Sequence, residues 1–547
     1  MKHHLRARVR PCARAFLSIA LLTSPWSLRC QTPGTAGPQI PAAIREVMNA
    51  PIYANATWGL RVIDLDNHRA LLDLKPEHHF FIGSVRKVFS VGELLNEIGP
   101  GHHYDTPVYR RGDMGKDGVL DGDLILVASG DLTVGGRTNP DGTIAISSFD
   151  HNEANSLHNA VLTAPDPLAG YAELARQVAA AGITKITGDV VIDDRLFQPF
   201  NFRDEFLVRP IFVNDDAVDL TINPGAVDAK ASVIHRPVSA ALGVTNALIT
   251  RASSDASIDL VPEFPQCIGH PGCTAEIKGD LGVNFVPPLT DKFPVVRTFR
   301  IVQPSNYARS VFIEVLKAAG VSVAAPVVAP NPEQILPLRK SYPDDIRVAL
   351  LKGQPYSQNA RLVLKVSYNI GADTSLVLFG LTQGVDSMDA ALRVEKQNLS
   401  THYGIDPSDY FFVDGSGGGQ TKATNGAVTH MLEDMYHSRD FAGFFDALPI
   451  LGIDGSLTTF KDYEKDPSLS DATGKVRAKT GTFLEAGPDG NSQIVRGQAF
   501  GGYIETKSGR RLAYQLVVND VPIEGLDDLI SIFQNEATIS AILWRDY

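Results

Sequence analysis

The stretch Phe80-Phe-Ile-Gly-Ser-Val-Arg-Lys87 decides the interpretation of this chain, because it places an S-x-x-K motif at the predicted start of a helix. From Ser84 to Ile98, apolar residues recur at the spacing of one helical face. Ser84 therefore opens the predicted helix, and Lys87 follows one turn later on the same face. A serine in this position is ordinarily an N-cap, so the motif carries little weight by itself.

Two further motifs follow in a fixed order. They are Ser367-Tyr-Asn369, in a helix-rich stretch, and Lys479-Thr-Gly481, in a predicted strand. Taken singly, Lys479 would be a solvated lysine on an edge strand, and Ser367 and Asn369 would be polar residues on a helix surface. In this order, the three motifs predict a serine acyl-transfer enzyme whose base is a lysine rather than a histidine.

The chemistry of acyl transfer explains the residue types. A serine hydroxyl is a poor nucleophile until a base removes its proton, and Lys87 at position i+3 is within reach of Ser84. Lys87 must be neutral to act as this base, and burial or a nearby like charge, such as that of Lys479, lowers the pKa of a lysine. The backbone N–H groups of Ser84 and Thr482 are the predicted oxyanion hole.

The other motif residues are predicted to handle the substrate. Ser367 relays a proton to the leaving group, Asn369 bonds a substrate amide, and Lys479 with Thr480 binds a carboxylate. No cofactor is expected.

A metal site is not expected either. The adjacent pairs His78-His79 and His102-His103 lie in predicted loops, and adjacent residues rarely face one site. The sequence contains neither an H-E-x-x-H motif nor a G-x-S-x-G elbow.

Length and charge narrow the class of protein. The chain has 547 residues, so two or more domains are expected. Its formal net charge of -12 argues against nucleic acid as a partner, because phosphate binding requires a basic surface.

The N-terminal residues have the layout of a secretory signal. Basic residues from Lys2 to Arg14 precede a short apolar run, so residues 1–30 are predicted to be a signal segment and residues 31–41 a linker. We therefore expect an exported, periplasmic protein. Lipoprotein anchoring through Cys30 is an alternative that Arg29 fits badly. Peripheral contact with a membrane and the oligomeric state stay open.

Two cysteines remain outside this segment. Cys267 and Cys273 flank a stretch rich in glycine and proline, and a local disulfide is expected in an exported protein. The alternatives are two free loop thiols or, with less support, a zinc site, because only His270 lies between them.

The pattern of elements predicts a split domain. Residues 42–105 and 331–547 read as helices with an antiparallel sheet, beginning with a hairpin of Thr57–Asp64 and a partner strand from Leu71. Residues 106–330 read as a β-rich insert of two subdomains. Within it, the polar stretch 134–168 is predicted to be an exposed insertion that forms part of the wall of the cleft.

The motifs resemble those of one known family. With four further segments, the chain resembles class C low-molecular-mass penicillin-binding proteins, the D-alanyl-D-alanine carboxypeptidase/endopeptidase family, over about 40–525. These segments are Gly130-Asp-Leu-Thr133, Gly188-Asp-Val-Val-Ile-Asp-Asp194, Asp414-Gly-Ser-Gly417 and Gly452-Ile-Asp-Gly-Ser-Leu457. The resemblance implies an α+β fold, a penicillin-binding-protein/β-lactamase-like transpeptidase domain interrupted by the insert.

The resemblance also implies roles for individual residues. Ser84 would be the acylated nucleophile and Lys87 its base. The second motif would supply Ser367 and Asn369, and the third Lys479, Thr480 and Gly481, with Thr482 lending its backbone N–H. Asp193 would be an acid of the insert that meets the diamino-acid side chain of the substrate. One departure is Asp373, where the family has glutamate.

Peptidoglycan stem peptides and β-lactam antibiotics are the partners that this resemblance implies. The expected reaction is D-alanyl-D-alanine carboxypeptidase activity, with D,D-endopeptidase activity as a second reaction. Two alternatives remain, a non-catalytic peptidoglycan-binding relative and a β-lactamase or esterase on the same scaffold.

Overall fold

The computed structural model of the protein describes residues 40–487 and 492–547. The predicted signal segment, residues 31–39 of the predicted linker and Cys30 lie outside the described residues. In the described ranges the α-helices are α1 (Ala42–Met48), α2 (Lys87–Ile98), α3 (Ala169–Ala180), α4 (Pro304–Ala318), α5 (Tyr356–Lys365), α6 (Asn369–Thr382), α7 (Met388–Thr401), α8 (Asn425–His437), α9 (Phe441–Ala447) and α10 (Leu526–Asp546). None of these helices is both long and apolar enough to cross a membrane.

The strands of the same ranges are β1 (Thr57–Asp64), β2 (Arg69–Leu74), β3 (Phe80–Phe81), β4 (Thr106–Met114), β5 (Val119–Val127), β6 (Lys185–Ile186), β7 (Val190–Asp193), β8 (Phe200–Phe202), β9 (Phe206–Val208), β10 (Ala217–Asn223), β11 (Ser232–Arg236), β12 (Gly243–Arg251), β13 (Ala256–Val261), β14 (Thr274–Gly282), β15 (Val295–Arg300), β16 (Ser322–Val323), β17 (Arg347–Leu351), β18 (Tyr410–Phe411), β19 (Lys422–Ala423), β20 (Val476–Ala486), β21 (Gln493–Glu505), β22 (Arg511–Asn519) and β23 (Val521–Ile523).

The sheet that carries the third motif joins the two ends of the described chain. Its strands are ordered β2-β1-β22-β21-β20 with antiparallel neighbours, and β23 pairs with β21. The predicted hairpin is confirmed as β1 and β2, and β1 pairs with β22, so that Leu60 lies opposite Leu516.

Both faces of this sheet are buried, as the alternation of side chains along its strands requires. Phe500 and Leu516 point into a core shared with α1 and α10. Their sequence neighbours Ala499 and Val517 point into the opposite core, which Val88 and Leu94 of α2 help to form. The mixed helices and antiparallel sheet confirm the predicted α+β class.

The middle region of the chain, from β4 to β17, forms several further sheets. One has the order β16-β6-β5-β4-β17, with β7 also paired to β5, and two three-stranded sheets are ordered β11-β10-β15 and β12-β14-β13. A hydrophobic core that includes Leu124, Leu220, Val311 and Leu316 packs these strands against α3 and α4. Strand β17 pairs with β4, so pairing with these strands extends beyond residue 330. The predicted domain boundaries and the two subdomains stay predictions.

A disulfide closes the loop before β14. Cys267 and Cys273 are bonded to each other, which confirms the local pairing expected from the sequence. Cys273 is buried in the core of the middle region, and Cys267 packs against that core.

Candidate active site

Ser84 and Lys87 are in direct contact. Ser84 lies in a 3-10 turn, Gly83–Arg86, that leads into α2, so the α-helix begins at Lys87 rather than at Ser84 as predicted. The Nζ of Lys87 lies 2.6 Å from the Oγ of Ser84, 2.7 Å from the Oδ1 of Asn369 and 2.9 Å from the carbonyl oxygen of Ser416. A neutral amine has two N–H groups and one lone pair. Donating to Asn369 and Ser416 would therefore leave the lone pair for the proton of Ser84.

The surroundings of Lys87 favour this neutral form. Its side chain is 0% exposed. Burial, assisted by the positive charge of Arg203, lowers the pKa of Lys87 to about 7, against the opposing effect of Asp373, Asp414 and Glu153. Near neutral pH, a substantial fraction of Lys87 is thus able to accept a proton.

Two glycines allow the serine turn to lie against strand β20. A Cβ on Gly83, whose φ is +48°, would lie 2.6 Å from the backbone nitrogen of Thr482. A Cβ on Gly481 would lie 2.0 Å from the carbonyl oxygen of Ile82 and 3.0 Å from the nitrogen of Ser84. Only glycine permits this approach, which brings the backbone of Thr482 beside that of Ser84. Their role as an oxyanion hole stays a prediction.

The second motif occupies the turn between α5 and α6 rather than a helix surface. Ser367 has a φ of +64°, a left-handed conformation that is uncommon for a residue with a side chain. Such conformations cost about 1–3 kcal/mol and persist where the surrounding structure enforces them, often at functional sites. Asn369 begins α6 and bonds Lys87, so the turn links the first motif to the second.

Lys479 is buried, not a solvated lysine of an edge strand. Its Nζ donates to the Oγ of Ser367 at 2.9 Å and to the carbonyl oxygen of Thr480 at 2.7 Å. Burial, and after it the charge of Lys87, lowers the pKa of Lys479 well below its usual value. The Oγ1 of Thr480 lies 2.7 Å from the Oγ of Ser456.

The Asp414-Gly-Ser-Gly417 segment holds in place one of the hydrogen-bond acceptors of Lys87. The Oδ1 of Asp414 accepts the N–H groups of Ser416 at 3.0 Å and Gly417 at 2.7 Å, which shapes the turn that offers the carbonyl of Ser416 to Lys87. Asp373 accepts the N–H of Gly415 at 2.9 Å. Burial and the charge of Asp414 raise the pKa of Asp373 to about 8.

Several neighbours of the motifs are not evident from the sequence. The Asp414 segment and Asp373 stand out only through the family resemblance, and no motif points to Ser416, Arg203 or Glu153 individually. The family segment was a usable signal for Ser416. The sequence gives no such signal for Arg203 and Glu153, because residues of the middle region approach the motifs only in the folded chain.

A polar pocket of about 140 Å³ opens beside Asn369. The pocket is lined by Tyr368, Asn369 and Ile370 and by residues of the middle region. The latter are Asn152, Glu153, Asn155, Ser156, Phe202, Arg203, Glu205, Phe206, Glu263, Phe264, Thr298 and Arg300. The stretch 134–168 thus contributes four residues to the wall of the cleft, as expected.

The expectation that 134–168 is an exposed insertion is wrong. Arg137, Asp150 and His151 are buried with Asp215 and Asp219. Arg137 donates to both carboxylate oxygens of Asp150 at 2.8 Å and also bonds Asp215. These polar residues can be buried because they satisfy one another, which their sequence separation conceals.

His151 is held in its charged form within this cluster. Its Nδ1 lies 2.6 Å from Asp219 and its Nε2 lies 2.9 Å from Asp215. Burial disfavours the charge, but the carboxylates of Asp219 and Asp150 outweigh it and raise the pKa of His151 to about 9. Asp150, His151 and Asp215 are close enough to share a metal ion, but the Arg137 guanidinium already bonds both carboxylates. The prediction that no metal is needed stays a prediction.

Asp193 makes no hydrogen bond to a motif residue in the part of the chain that the structure describes. Both of its carboxylate oxygens are bound by Arg195, at 2.7 and 2.8 Å, and the hydroxyl of Tyr342 donates to one of them at 2.6 Å. It is not among the residues that line the pocket. The substrate-binding role predicted for Asp193 stays a prediction.

Comparison with known proteins fits this arrangement. The model of the D-Ala-D-Ala carboxypeptidase 3 (S13) family matches residues 40–532. The D-alanyl-D-alanine carboxypeptidase of Actinomadura sp. (strain R39) is 22% identical over 508 residues, which cover 87% of this chain and 80% of that protein. The chain therefore belongs to the D-Ala-D-Ala carboxypeptidase 3 (S13) family and is a serine peptidase of the class C low-molecular-mass penicillin-binding type.

Solved structures share the fold. Penicillin-binding protein 4 from Haemophilus influenzae superimposes with a TM-score of 0.66 at 16% identity, covering 92% of this chain and 99% of the other. The same protein in complex with a β-lactam gives a TM-score of 0.63 at 17% identity, covering 92% and 100%. This likeness confirms the predicted penicillin-binding-protein/β-lactamase-like fold.

Proposed function

We propose that the chain is a D-alanyl-D-alanine carboxypeptidase that acts on peptidoglycan stem peptides through an acyl-enzyme on Ser84. The observation that carries the proposal is the buried amine of Lys87, 2.6 Å from the Oγ of Ser84, with a pKa lowered to about 7. This pair supplies an activated nucleophile without a histidine.

The first half of the reaction follows from this contact. Lys87 accepts the proton of Ser84, and the Oγ attacks the carbonyl carbon of the penultimate D-alanine. The N–H groups of Ser84 and Thr482 stabilise the oxyanion. Ser367, bonded to Lys479, passes a proton to the amine of the departing D-alanine and is reprotonated from the Lys87 ammonium, so that Lys87 is neutral again in the acyl-enzyme. Water then hydrolyses the acyl-enzyme.

The terminal carboxylate of the substrate is expected to bind at β20. Because the Nζ of Lys479 is already bonded to Ser367 and to the Thr480 carbonyl, the hydroxyl of Thr480 is the better candidate for direct contact. Lys479 then acts through Ser367 and the backbone rather than by touching the carboxylate.

D,D-endopeptidase activity is a second reaction that we propose for the same site. The free carboxylate of a D-amino acid is present in both a pentapeptide and a cross-linked dimer, so the motifs serve both reactions. Separate segments of the middle region border the pocket beside Asn369, so this region is placed to influence which stem peptides bind. Digestion of purified muropeptides, analysed by mass, separates the reactions, since free D-alanine with intact dimers would refute endopeptidase activity.

We also propose that β-lactams acylate Ser84 and that the protein is exported to the periplasm. Support for the first is the β-lactam complex of the Haemophilus protein of the same fold. Support for the second is the predicted signal segment 1–30. Fractionation of cells that express the full chain tests the location, and recovery from the cytoplasm alone would refute it.

Labelling with a fluorescent penicillin tests the central proposal. A stable adduct on Ser84, located by peptide mass, is the expected result. A protein that forms no adduct would be a non-catalytic peptidoglycan-binding relative, and one that releases the adduct within seconds would be a β-lactamase. An adduct located on Ser367 would overturn the assignment of the nucleophile.

A further inference from the structure

Glu153 connects the middle region to the catalytic motifs. Its Oε1 accepts a hydrogen bond from the Nδ2 of Asn369 at 3.0 Å, and the Oδ1 of the same amide faces Lys87 at 2.7 Å. A carboxylate only accepts, so it fixes which end of the amide faces Lys87. The side chain is partly exposed and lines the pocket of about 140 Å³, which is large enough for ordered water.

The buried cluster fixes the turn that presents Glu153. This residue ends a 3-10 turn, His151–Glu153, whose N-cap Asp150 is clamped by Arg137. His151, in the same turn, is held between Asp215 and Asp219. The position of Glu153 is therefore set by a rigid support, as a catalytic group requires.

Hydrolysis of the acyl-enzyme needs a base that Lys87 is poorly placed to supply. The Nζ of Lys87 is fully buried, and its three contacts are Ser84, Asn369 and Ser416. Glu153 has a free oxygen, because no hydrogen bond or ion pair within residues 40–487 and 492–547 engages its Oε2. Burial raises the pKa of Glu153 against the opposing charges of Arg203, Lys87 and Arg300, which makes its carboxylate a stronger base than an exposed one.

We propose that Glu153 is the general base that activates water to hydrolyse the acyl-enzyme; this rests on the proposed acylation of Ser84. The water oxygen bonds to the acyl carbonyl carbon while its proton passes to a carboxylate oxygen of Glu153. The tetrahedral intermediate then expels the Oγ of Ser84. The proton held by Glu153 passes to this oxygen through solvent in the pocket and Lys87, so that Ser84, Lys87 and Glu153 all return to their starting protonation states.

Separate measurement of acylation and deacylation tests this role. Glu153→Gln keeps the size of the side chain and an oxygen able to accept from Asn369, but it removes the base. With a fluorescent penicillin we expect acylation within about threefold of wild type and release of the adduct slowed by about 100-fold or more. Glu153→Asp should restore part of the release rate. Glu173→Gln, the same substitution on the surface of α3, should match wild type in both steps.

The pH profile adds a readout that a structural role would not change. In wild type, release should slow as the pH falls through the pKa of Glu153. This group is faced by the cations Arg203, Lys87 and Arg300 and by the anion Asp150. In Glu153→Gln this limb of the profile should disappear.

Three outcomes contradict the proposal in different ways. Release at the wild-type rate in Glu153→Gln would show that another group activates the water. Loss of acylation together with release would show that Glu153 acts only by orienting Asn369. Failure of wild type to form any adduct would refute the proposed function itself, and the role of Glu153 with it.

Discussion

Two buried polar clusters of this protein hold their cations in opposite states. Around Ser84, burial and a like charge lower the pKa of Lys87 to about 7, so the amine is prepared to lose its proton. In the middle region, the carboxylates of Asp219 and Asp150 overcome burial and raise the pKa of His151 to about 9, so the imidazole keeps its proton. Burial alone thus does not decide the charge of a side chain; the partners buried with it do.

The difference matches the role that we propose for each cluster. A base must exchange a proton during turnover, whereas a cluster that supports a turn is best left with fixed charges. Glu153 connects the two clusters, because it lies two residues after His151 and accepts a hydrogen bond from Asn369.

Removal of the nucleophile should have the largest effect. Ser84→Ala should reduce penicillin labelling and D-alanine release by at least about 1,000-fold, because only binding and oxyanion stabilisation remain. Circular dichroism should show an unchanged fold. Labelling that survives in Ser84→Ala would mean that the lysine cluster serves another residue.

The lowered pKa of Lys87 should be visible in the pH dependence of the acylation rate. We expect the acylation rate to rise with pH through about 7, since Lys87 must be neutral to accept the proton of Ser84. Lys87→Ala should lose about 100- to 10,000-fold in acylation. Lys116→Ala, an exposed lysine in a turn, is the matched control. A flat profile from pH 6 to pH 9, with full activity in Lys87→Ala, would exclude this base.

The buried cluster around His151 should affect the stability of the folded protein rather than the kinetics of acylation. The folded-state pKa of His151 is raised from 6.5 to about 9, so its contribution is fully present below pH 6.5 and is lost as the pH rises through 9. The rise corresponds to at most about 3 kcal/mol. Lys87 acts in the opposite sense, because its lowered pKa makes stability increase between about pH 7 and its unfolded value of 10.5.

Comparing wild type with a His151 variant separates the contribution of His151 from that of Lys87, because both proteins contain Lys87. The difference in unfolding free energy between wild type and His151→Gln should be largest near pH 6 and shrink toward pH 9, as measured by denaturant unfolding. His270→Gln, an exposed histidine of the same region, should show no such difference. A constant difference across this range would contradict a charged His151.

The smallest effect concerns the contact between β20 and the serine turn. Gly481→Ala should cost about 1–3 kcal/mol and slow acylation, because the new Cβ would meet the carbonyl oxygen of Ile82 at 2.0 Å. Gly101→Ala has open space around its Cβ and should be neutral. Unchanged acylation in Gly481→Ala would show that the turn adapts without disturbing the site.

The parts of the fold that follow from local patterns were predictable. The hairpin β1–β2, the strands near the third motif and the final helix all have the periodicity of their element type. Ser84, Lys87, Asn369, Ser367 and Lys479 could be named because their motifs are short and ordered. The burial of the stretch 134–168 could not be predicted, because a polar sequence is normally exposed. The residues that neutralise its charges, Asp215 and Asp219, lie far along the chain.

The sequence by itself determined the family and predicted the nucleophile and the type of base, since these depend on residue identity at fixed spacing. The tertiary structure alone decided which charges face one another. It gave Lys87 the charge of Arg203, bound both oxygens of Asp193 to Arg195 and Tyr342, and brought Glu153 to Asn369. Electrostatic effects depend on distance and burial between residues that are remote in sequence, and neither quantity exists until the chain folds.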